Sequence, residues 1–509
     1  MAKRTVIALA VALLAGSPAG AAEMPPEMLE ALQHLQGRLA RLEARNAELE
    51  RQLASRPVGA ALETRVQQLE SANARMEDAL ASDRLSQNEP EIATRLKAAE
   101  FQALGMQKQA RMVESLEGIA AGVSFTTVAQ HANGGSVTNG AANGKAETQL
   151  SWRGDAQVSL PGGHIGNNEG ALFFHFRTGQ GNGLSGLNPT FSAPNASAFQ
   201  LGGAGQPDDA SPILAQAWYQ LQVPLDEKPL SSSRRHMEVT FGKIDPFLFF
   251  DQNTVADDET TRFMNLAFVH NPLLDTGGGA GLDAYGFTPG LRLAYQNDQF
   301  KPTGWGVSLG VFGAANGAAF NDSLKRPFAI VQAETRQRFF AGLNGHYRAY
   351  LWHNGRATPF NNAADSSTES QAGWGVSVDQ KVSENLALWG RYGQSSKGRV
   401  QFDRALTLGA EVTGNAWGRG ADSLGLAVGW LRASGDFKAQ SATLDADGAG
   451  GPDFGWSASG AEQLAELYYR WRVNPQFELS PDYQLIRRSG GNGAAGAAHI
   501  LGLRAQITF

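Results

Sequence analysis

A charged stretch between residues 245 and 285 is the part of the sequence best suited to contact a passing solute. If this segment folds into a channel, its acids and its base would meet at one narrow point. An equally good interpretation is that the charges pair with one another and only hold the segment together. The segment is too rich in phenylalanine for a freely solvated loop, so we expect it to pack against an inner wall or a neighbouring subunit. The candidate residues are Asp251, Asp257, Asp258, Glu259 and Arg262.

Two further sequence patterns could indicate chemistry. The run Gly306-Val307-Ser308-Leu309-Gly310 matches the Gly-x-Ser-x-Gly pattern of serine hydrolases. It lies within a predicted strand and lacks the strand–turn–helix context of a nucleophile, so we interpret the match as chance and predict no catalytic residue. Asp445, Asp447 and Asp453 could together bind Ca²⁺, but a solvated acidic loop is the simpler interpretation. The sequence therefore predicts no enzyme, no cofactor and no metal site.

From residue 119 onward, polar and apolar residues alternate with a period of two, which predicts β-strands. Most of the segments have about the length that a tilted strand needs to cross a bilayer. Their number is even, as is usual for single-chain bacterial barrels. The predicted fold is an all-β transmembrane barrel of about 16 antiparallel strands over residues 119–509. The segments lie near 119–131, 146–160, 169–180, 213–224, 236–244, 286–297, 304–314, 326–334, 341–353, 371–381, 385–395, 401–413, 421–433, 462–473, 476–487 and 498–509.

The connections between these segments alternate in length. Odd-numbered connections such as 181–212 and 434–461 are mostly long, whereas even-numbered ones such as 298–303 and 474–475 are short. Membrane barrels with short periplasmic turns and long external loops show this alternation, and a soluble β-domain has no reason to do so. The pattern also places both ends of the barrel on the periplasmic side.

The polar phase of the strands predicts a lumen of mixed charge. Such a surface suits neutral, hydroxyl-rich solutes such as sugars, because hydroxyl groups donate and accept hydrogen bonds and sugar C–H faces stack on rings. A generic water-filled pore explains the same residues equally well. The predicted lumen-lining residues are Arg153, Asp155, Arg177, Trp218, Glu238, Arg292, Arg348, Arg391, Glu466 and Arg470.

The first 118 residues carry different patterns. Lys3 and Arg4, an apolar run and a small-residue cleavage site predict a signal peptide over residues 1–22. Apolar residues at heptad spacing predict a periplasmic α-helical coiled coil over residues 23–85, followed by a helical linker over 86–118. A lone amphipathic helix that folds back on a domain is the alternative.

Asn46 and Asn73 fall at core positions of the two heptad seams. A buried asparagine weakens a coiled coil but fixes its register and its oligomeric state. These two residues therefore favour self-association, and we predict that they set the register of a trimer.

Composition excludes several classes of protein. The 509-residue chain has no cysteine, which removes disulfides and thiolate metal sites. Its formal net charge of −6 is small for this length and gives no indication of nucleic-acid binding. Beyond the N-terminus no apolar stretch is long enough for a membrane-spanning helix.

Several motifs resemble the carbohydrate-selective (OprB-type) porin family over about residues 116–509. The late part of the barrel also looks like the final strands of that family. The earlier motifs are Phe241-Gly242-Lys243-Ile244-Asp245-Pro246, Phe250-Asp251-Gln252-Asn253, Asp257-Asp258-Glu259-Thr260-Thr261-Arg262-Phe263 and Asn271-Pro272. The late ones are Glu466-Leu467-Tyr468-Tyr469-Arg470-Trp471-Arg472-Val473-Asn474-Pro475, Ser480-Pro481-Asp482-Tyr483-Gln484 and Leu501-Gly502-Leu503-Arg504.

This resemblance implies a sixteen-stranded barrel that forms homotrimers in the bacterial outer membrane, in contact with lipid and lipopolysaccharide. It also implies diffusion of small saccharides through a constriction, with Asp251, Asp257, Glu259 and Arg262 in the constriction-loop motif. The coiled coil is an addition to the simplest family members, so it leaves room for trimer clamping or for contact with peptidoglycan or another periplasmic protein.

Two other functions are also compatible with the sequence. A polysaccharide-export barrel would share the fold, but it would need a wider and more uniformly charged lumen. An envelope-tethering protein would depend on the coiled coil, and deletion of residues 23–85 would separate it from a porin.

Overall fold

The computed structural model describes residues 119–509, apart from 134–136, 139–140, 143–146, 185–186, 188–190, 202–208, 227, 276–285, 315–323 and 341. The predicted signal peptide, coiled coil and helical linker, with Asn46 and Asn73, lie outside the described residues. None of the described helices is long and apolar enough to span a membrane.

Sixteen antiparallel strands form one closed barrel in which each strand pairs with its neighbours in sequence. The first strand pairs with the last, for example Thr126 with Gln506, and this pairing closes the barrel. The strands are β1 Ala120–Asn133, β2 Glu147–Ile165, β3 Asn168–Gln180, β4 Ile213–Pro224, β5 Arg235–Ile244, β6 Thr288–Asn297, β7 Gly304–Phe312, β8 Phe328–Phe339, β9 Leu343–Ala357, β10 Glu369–Lys381, β11 Leu386–Lys397, β12 Phe402–Thr413, β13 Ser423–Ala433, β14 Ala461–Arg472, β15 Phe477–Arg487 and β16 Ala498–Thr508. The predicted fold class is therefore confirmed for the barrel.

Alternation along each strand separates the lumen from the outer surface. In β7, Ser308 points inward and is buried, whereas Trp305, Val307 and Leu309 point outward and are exposed. Successive side chains of a strand face opposite sides of the sheet, which is why a period of two in the sequence gives a polar inner face and an apolar outer belt.

The connections follow the predicted alternation with one clear exception. Gly166-Asn167 is a two-residue turn at the end that also holds both termini of the barrel, which we call the short-turn end. The connections at the opposite, long-loop end include residues 181–212, 245–287 and 434–460. The connection between β11 and β12 also lies at the long-loop end, yet it spans only residues 398–401.

Short helices and a small hairpin occur outside the barrel strands. The α-helices are α1 Leu266–Val269, α2 Pro272–Asp275 and α3 Gly435–Gln440, and the 3₁₀-helices are Leu230–Ser232, Pro246–Leu248, Pro359–Asn361, Gly414–Trp417 and Ser489–Gly491. A two-stranded hairpin joins Val137–Thr138 to Ala141–Ala142.

Two apolar clusters fill part of the barrel interior. One packs phenylalanines of the connection after β5, such as Phe263 and Phe268, against Trp389 of the wall. The other packs Phe249 and Phe250 of the same connection against Trp218 and Phe312. The connection therefore lies inside the barrel, and the prediction that it is too apolar for solvent is explained by these contacts.

Candidate functional site

The connection after β5 bends into the barrel as soon as the strand ends. Gly242 has φ 141°, and a side chain there would collide with the carbonyl oxygen of Ala217, so the motif requires glycine. Asp245 then accepts a hydrogen bond from the Phe247 backbone N–H at 2.9 Å and starts a 3₁₀-helix. We call residues 245–275 the inner loop.

Arg391 on β11 holds the inner loop through main-chain atoms. Its guanidinium donates hydrogen bonds to the carbonyl oxygens of Asp251, Ala256 and Phe268 at 3.0, 2.6 and 3.0 Å. Asp251 forms an ion pair with Arg391 and accepts hydrogen bonds from the Tyr350 hydroxyl and the Asn271 N–H. Burial raises the pKa of Asp251, and the positive charge of Arg391 opposes that rise.

Asp251 also adopts a left-handed backbone conformation, with φ 55°. Such a conformation is unfavourable for a residue other than glycine and persists only where surrounding contacts impose it. The contacts to Arg391, Tyr350 and Gln332, whose side-chain oxygen accepts the Asp251 N–H at 2.9 Å, supply that constraint.

Strands β10, β14 and β16 add further attachments. Glu466 accepts the backbone N–H groups of Met264 and Asn265, and Arg504 donates to the carbonyl oxygen of Arg262 at 2.7 Å. Asp379 accepts the Thr254 hydroxyl at 2.6 Å. These attachments all come from the wall between β8 and β16, so the loop is fastened to one side of the barrel.

The inner loop touches the opposite wall at Phe249 and Trp218, but a cavity of about 980 Å³ lies between much of the loop and strands β2, β3 and β4. Five arginines line this cavity: Arg153, Arg177, Arg262, Arg470 and Arg472. Six carboxylates line it as well: Asp155, Asp245, Asp257, Asp258, Glu259 and Glu478. Because positive and negative groups are nearly balanced, the cavity has a polar wall without a dominant charge.

One ion pair crosses the cavity from wall to loop. Arg153 on β2 lies 2.9 Å from Glu259 of the inner loop, measured from Nη1 to Oε1. Asp155 is the centre of a wall cluster and contacts Arg153, His175 and Arg177 at 2.7 to 2.8 Å. Charged side chains of opposite sign therefore meet across the cavity.

Arg262 remains cationic next to this crossing. Burial by itself would lower the pKa of Arg262, but the negative charge of Glu411 outweighs that effect and raises the pKa above its ordinary value. The Nε of Arg262 lies 3.1 Å from Glu411 on β12. Asp258 accepts hydrogen bonds from the Thr260 N–H and the Thr261 hydroxyl, so it shapes the loop as well as lining the cavity.

Aromatic rings line the same cavity. Phe173 on β3 stacks on Trp218, with 4.7 Å between ring centroids, and Phe247 stacks on His270 at 4.1 Å. Phe287 lies beneath the guanidinium of Arg177, 5.2 Å from ring centroid to Cζ. Rings next to charged hydrogen-bonding groups offer both kinds of contact that a sugar uses.

The structure brings together most of the residues singled out from the sequence. Those that line the cavity are Arg153, Asp155, Arg177, Trp218, Asp257, Asp258, Glu259, Arg262 and Arg470. The side chains of Asp251, Arg391 and Glu466 lie between the loop and the wall, where they bind loop atoms, and they are not among the residues that line the cavity. Glu238 pairs with Arg292, and Arg348 pairs with Asp379, within the wall.

Several residues that line the cavity were not predicted from the sequence. His175 and Phe173 share the inward phase of β3 with Arg177, so strand alternation alone could have found them. Phe247, His270 and Phe287 belong to the connection 245–287, where no period indicates which side chains face the lumen.

The sequence from 113 to 509 matches the model of the family described as "Carbohydrate-selective porin, OprB family". The chain belongs to this family. The family and the fold point to a channel rather than to an enzyme. In agreement, Ser308 of the Gly-x-Ser-x-Gly match lies in the middle of β7 and accepts a hydrogen bond from Arg292 at 3.3 Å. No curated relative matches the chain.

A solved porin shares the fold of this chain at low sequence identity. The high-pH structure of Pseudomonas putida OprB is 20% identical, with a TM-score of 0.60, and the match covers 79% of this chain and 96% of that one. The low-pH structure of the same porin is 16% identical, with a TM-score of 0.43, over 80% and 97% of the two chains. Salmonella typhi OmpF in complex with daunomycin is 12% identical, with a TM-score of 0.43, over 77% and 97%.

Proposed function

We propose that this porin lets small neutral saccharides diffuse across the bacterial outer membrane through the cavity between the inner loop and strands β2–β4. The observation that carries the proposal is the mixed lining of that cavity. Nearly balanced charges select weakly among ions, whereas paired donors, acceptors and rings fit hydroxyl-rich solutes. We also propose the orientation of the barrel in the outer membrane: the short-turn end faces the periplasm and the long-loop end faces the exterior.

Asp257, Asp258, Glu259 and Arg262 are proposed to contact the solute from the loop side. Arg153, Asp155, Arg177, Trp218 and Arg470 are proposed to contact it from the wall side. Asp251, Arg391 and Glu466 hold the inner loop in place and thereby set the width of the passage. Glu238, Arg292 and Arg348 keep the remaining inner wall polar.

The N-terminal segments keep the roles predicted from their patterns. Residues 1–22 direct export, residues 23–85 form a periplasmic coiled coil, and 86–118 link it to the barrel. Asn46 and Asn73 set the register of a homotrimer, and the coiled coil contacts peptidoglycan or another periplasmic protein. Sedimentation in detergent tests the trimer, and a monomeric result contradicts it.

Planar-bilayer conductance of the purified protein, titrated with glucose and malto-oligosaccharides, tests the transport proposal. We expect steps in multiples of three that sugars block in a concentration-dependent way. Open steps that no sugar blocks would overturn the carbohydrate assignment. A protein lacking residues 23–85 serves as the comparison, because its conductance and sugar block should persist if the barrel alone carries transport.

A further inference from the structure

An arginine cluster lies on the outer surface of the barrel at its long-loop end. Arg404 on β12 stands directly opposite Arg432 on β13. Arg487, at the end of β15, pairs across the sheet with Gln463, and Arg488 follows it. All four arginines are exposed, whereas the neighbouring Leu431 and Ile486 are buried on the inner face, so the cluster faces away from the lumen.

The positive charge of this cluster is largely uncompensated. Like charges directly opposite each other on neighbouring strands repel, and Arg404 and Arg432 occupy such positions. Asp403 lies 3.9 Å from Arg432, with half of the arginine side chain exposed. Within the part of the chain that the structure describes, no carboxylate lies at ion-pair distance from Arg404, Arg487 or Arg488. An anion bound between the arginines would relieve this repulsion.

The cluster is held by a rigid support rather than by a free loop. Arg488 has a left-handed backbone with φ 53° and caps the 3₁₀-helix Ser489–Gly491. The buried Glu462 accepts the Gly490 N–H at 2.7 Å and also holds the connection 181–212 through the Phe191 N–H. Arg487, Arg488 and Gln463 line a shallow cleft with Gly493 and Ala495. The backbone that carries Arg487 and Arg488 is therefore fixed before any ligand binds.

An apolar surface begins directly below the cluster, toward the middle of the barrel. Trp430 pairs with the same Gln463 that pairs with Arg487, so it lies one strand beyond the cleft at the same height. Leu426, Leu467 and Tyr483 lie further down and form a continuous exposed row across β13, β14 and β15. A ligand that matches both surfaces has an anionic head and apolar chains.

We infer that this cluster binds the phosphorylated headgroup of an outer-leaflet glycolipid of the lipid A type, with the acyl chains lying along Trp430, Leu467 and Tyr483. Guanidinium groups bind phosphate oxygens through paired, charge-assisted hydrogen bonds, and four arginines at one membrane boundary supply several such pairs. The inference rests on the proposed orientation, in which the long-loop end faces the exterior.

Native mass spectrometry of the purified full-length protein with lipid A carrying two phosphates, and with its dephosphorylated form, tests this site. We expect the wild type to bind the phosphorylated lipid at least about tenfold more tightly. The double variant Arg432→Gln and Arg487→Gln should lose that preference. A double variant at the short-turn end, Arg235→Gln and Arg338→Gln, removes the same charge and should keep it.

Three results would overturn the inference: equal binding of the two lipids by the wild type, equal losses in both double variants, or displacement of the lipid by inorganic phosphate. The last would show a site for a free anion. Sugar-blocked conductance is measured on the same proteins, and it should be unchanged in the Arg432/Arg487 variant because these side chains face the membrane. Absence of conductance in the wild type would contradict the proposed transport function instead.

Discussion

Arg391 on β11 and Asp251 in the inner loop form an ion pair of 3.0 Å between Nε and Oδ2, and both side chains are completely buried. The pair joins positions 140 residues apart in sequence. Since the same guanidinium also binds the carbonyl oxygens of Ala256 and Phe268, one wall residue fixes two turns of the loop. The width of the passage on the far side of the loop therefore depends on a contact that no solute touches.

Arg391→Gln should release the inner loop without preventing barrel formation. Loss of one partner of a buried ion pair costs about 3–5 kcal/mol, because the other charge remains buried without compensation. We expect larger and noisier single-channel conductance, together with weaker sugar block. Arg336→Gln, which removes an arginine paired with Asp298 in the turn between β6 and β7, should leave both properties near wild type. Unchanged conductance in Arg391→Gln would contradict the anchoring role.

Asp251 should give the stability of the protein a recognisable pH dependence. Its pKa is raised by burial, so the folded protein takes up this proton more readily than the unfolded chain does. The contribution of Asp251 to the free energy of unfolding therefore falls as pH rises through the range above the ordinary value of about 3.9. Asp251→Asn should remove that slope from thermal unfolding curves recorded in detergent.

Asp226 provides the control for this measurement. It lies in an exposed turn, and its hydrogen bond from Arg235 lowers its pKa. A lowered pKa gives the opposite sign, since that contribution is lost as pH falls. Asp226→Asn should therefore leave the Asp251 slope intact, and a slope of the same sign for both residues would contradict the assignment to burial.

Glu259→Gln should shift the permeability of the channel toward anions. The variant removes the negative partner that faces Arg153 across the cavity at 2.9 Å. One charge acting on an ion about 7 Å away in water contributes about 0.6 kcal/mol, which is roughly a threefold change in the permeability ratio. Reversal potentials in a salt gradient measure the shift. Glu384→Gln, in an exposed turn at the short-turn end, removes the same charge and should not change the ratio.

Phe173→Ala should weaken sugar block while preserving the open channel. Phe173 stacks on Trp218 and lines the cavity, so its loss removes part of the ring surface on which a sugar can lie. Aromatic contacts contribute about 0.5–1.5 kcal/mol, which corresponds to a roughly two- to tenfold rise in the blocking concentration. Phe176 on the same strand faces outward, so sugar should block the Phe176→Ala channel at the same concentration as the wild-type channel. Equal effects of the two variants would place sugar contact elsewhere.

The sequence alone determined the sixteen strands, their antiparallel order and the alternation of their connections. Each of the predicted segments overlaps one strand of the barrel, because alternation and turn residues act over a few neighbouring positions. The ends of the strands were predicted less accurately. The predicted connection 161–168 is largely strand, since β2 and β3 continue pairing as far as Ile165 and Asn168.

Only the tertiary structure decided which polar side chains face the passage. Strand alternation indicates that Arg153 and Arg391 both point inward, but it contains no information about what lies against them. The inner loop covers Arg391 and leaves Arg153 at the cavity, because its attachments join it to one side of the barrel across 81 to 242 residues of sequence. The acidic residues of the inner loop also occupy two different positions. Asp251 is buried against the wall while Glu259 reaches the opposite one, and this division depends on long-range contacts rather than on local spacing.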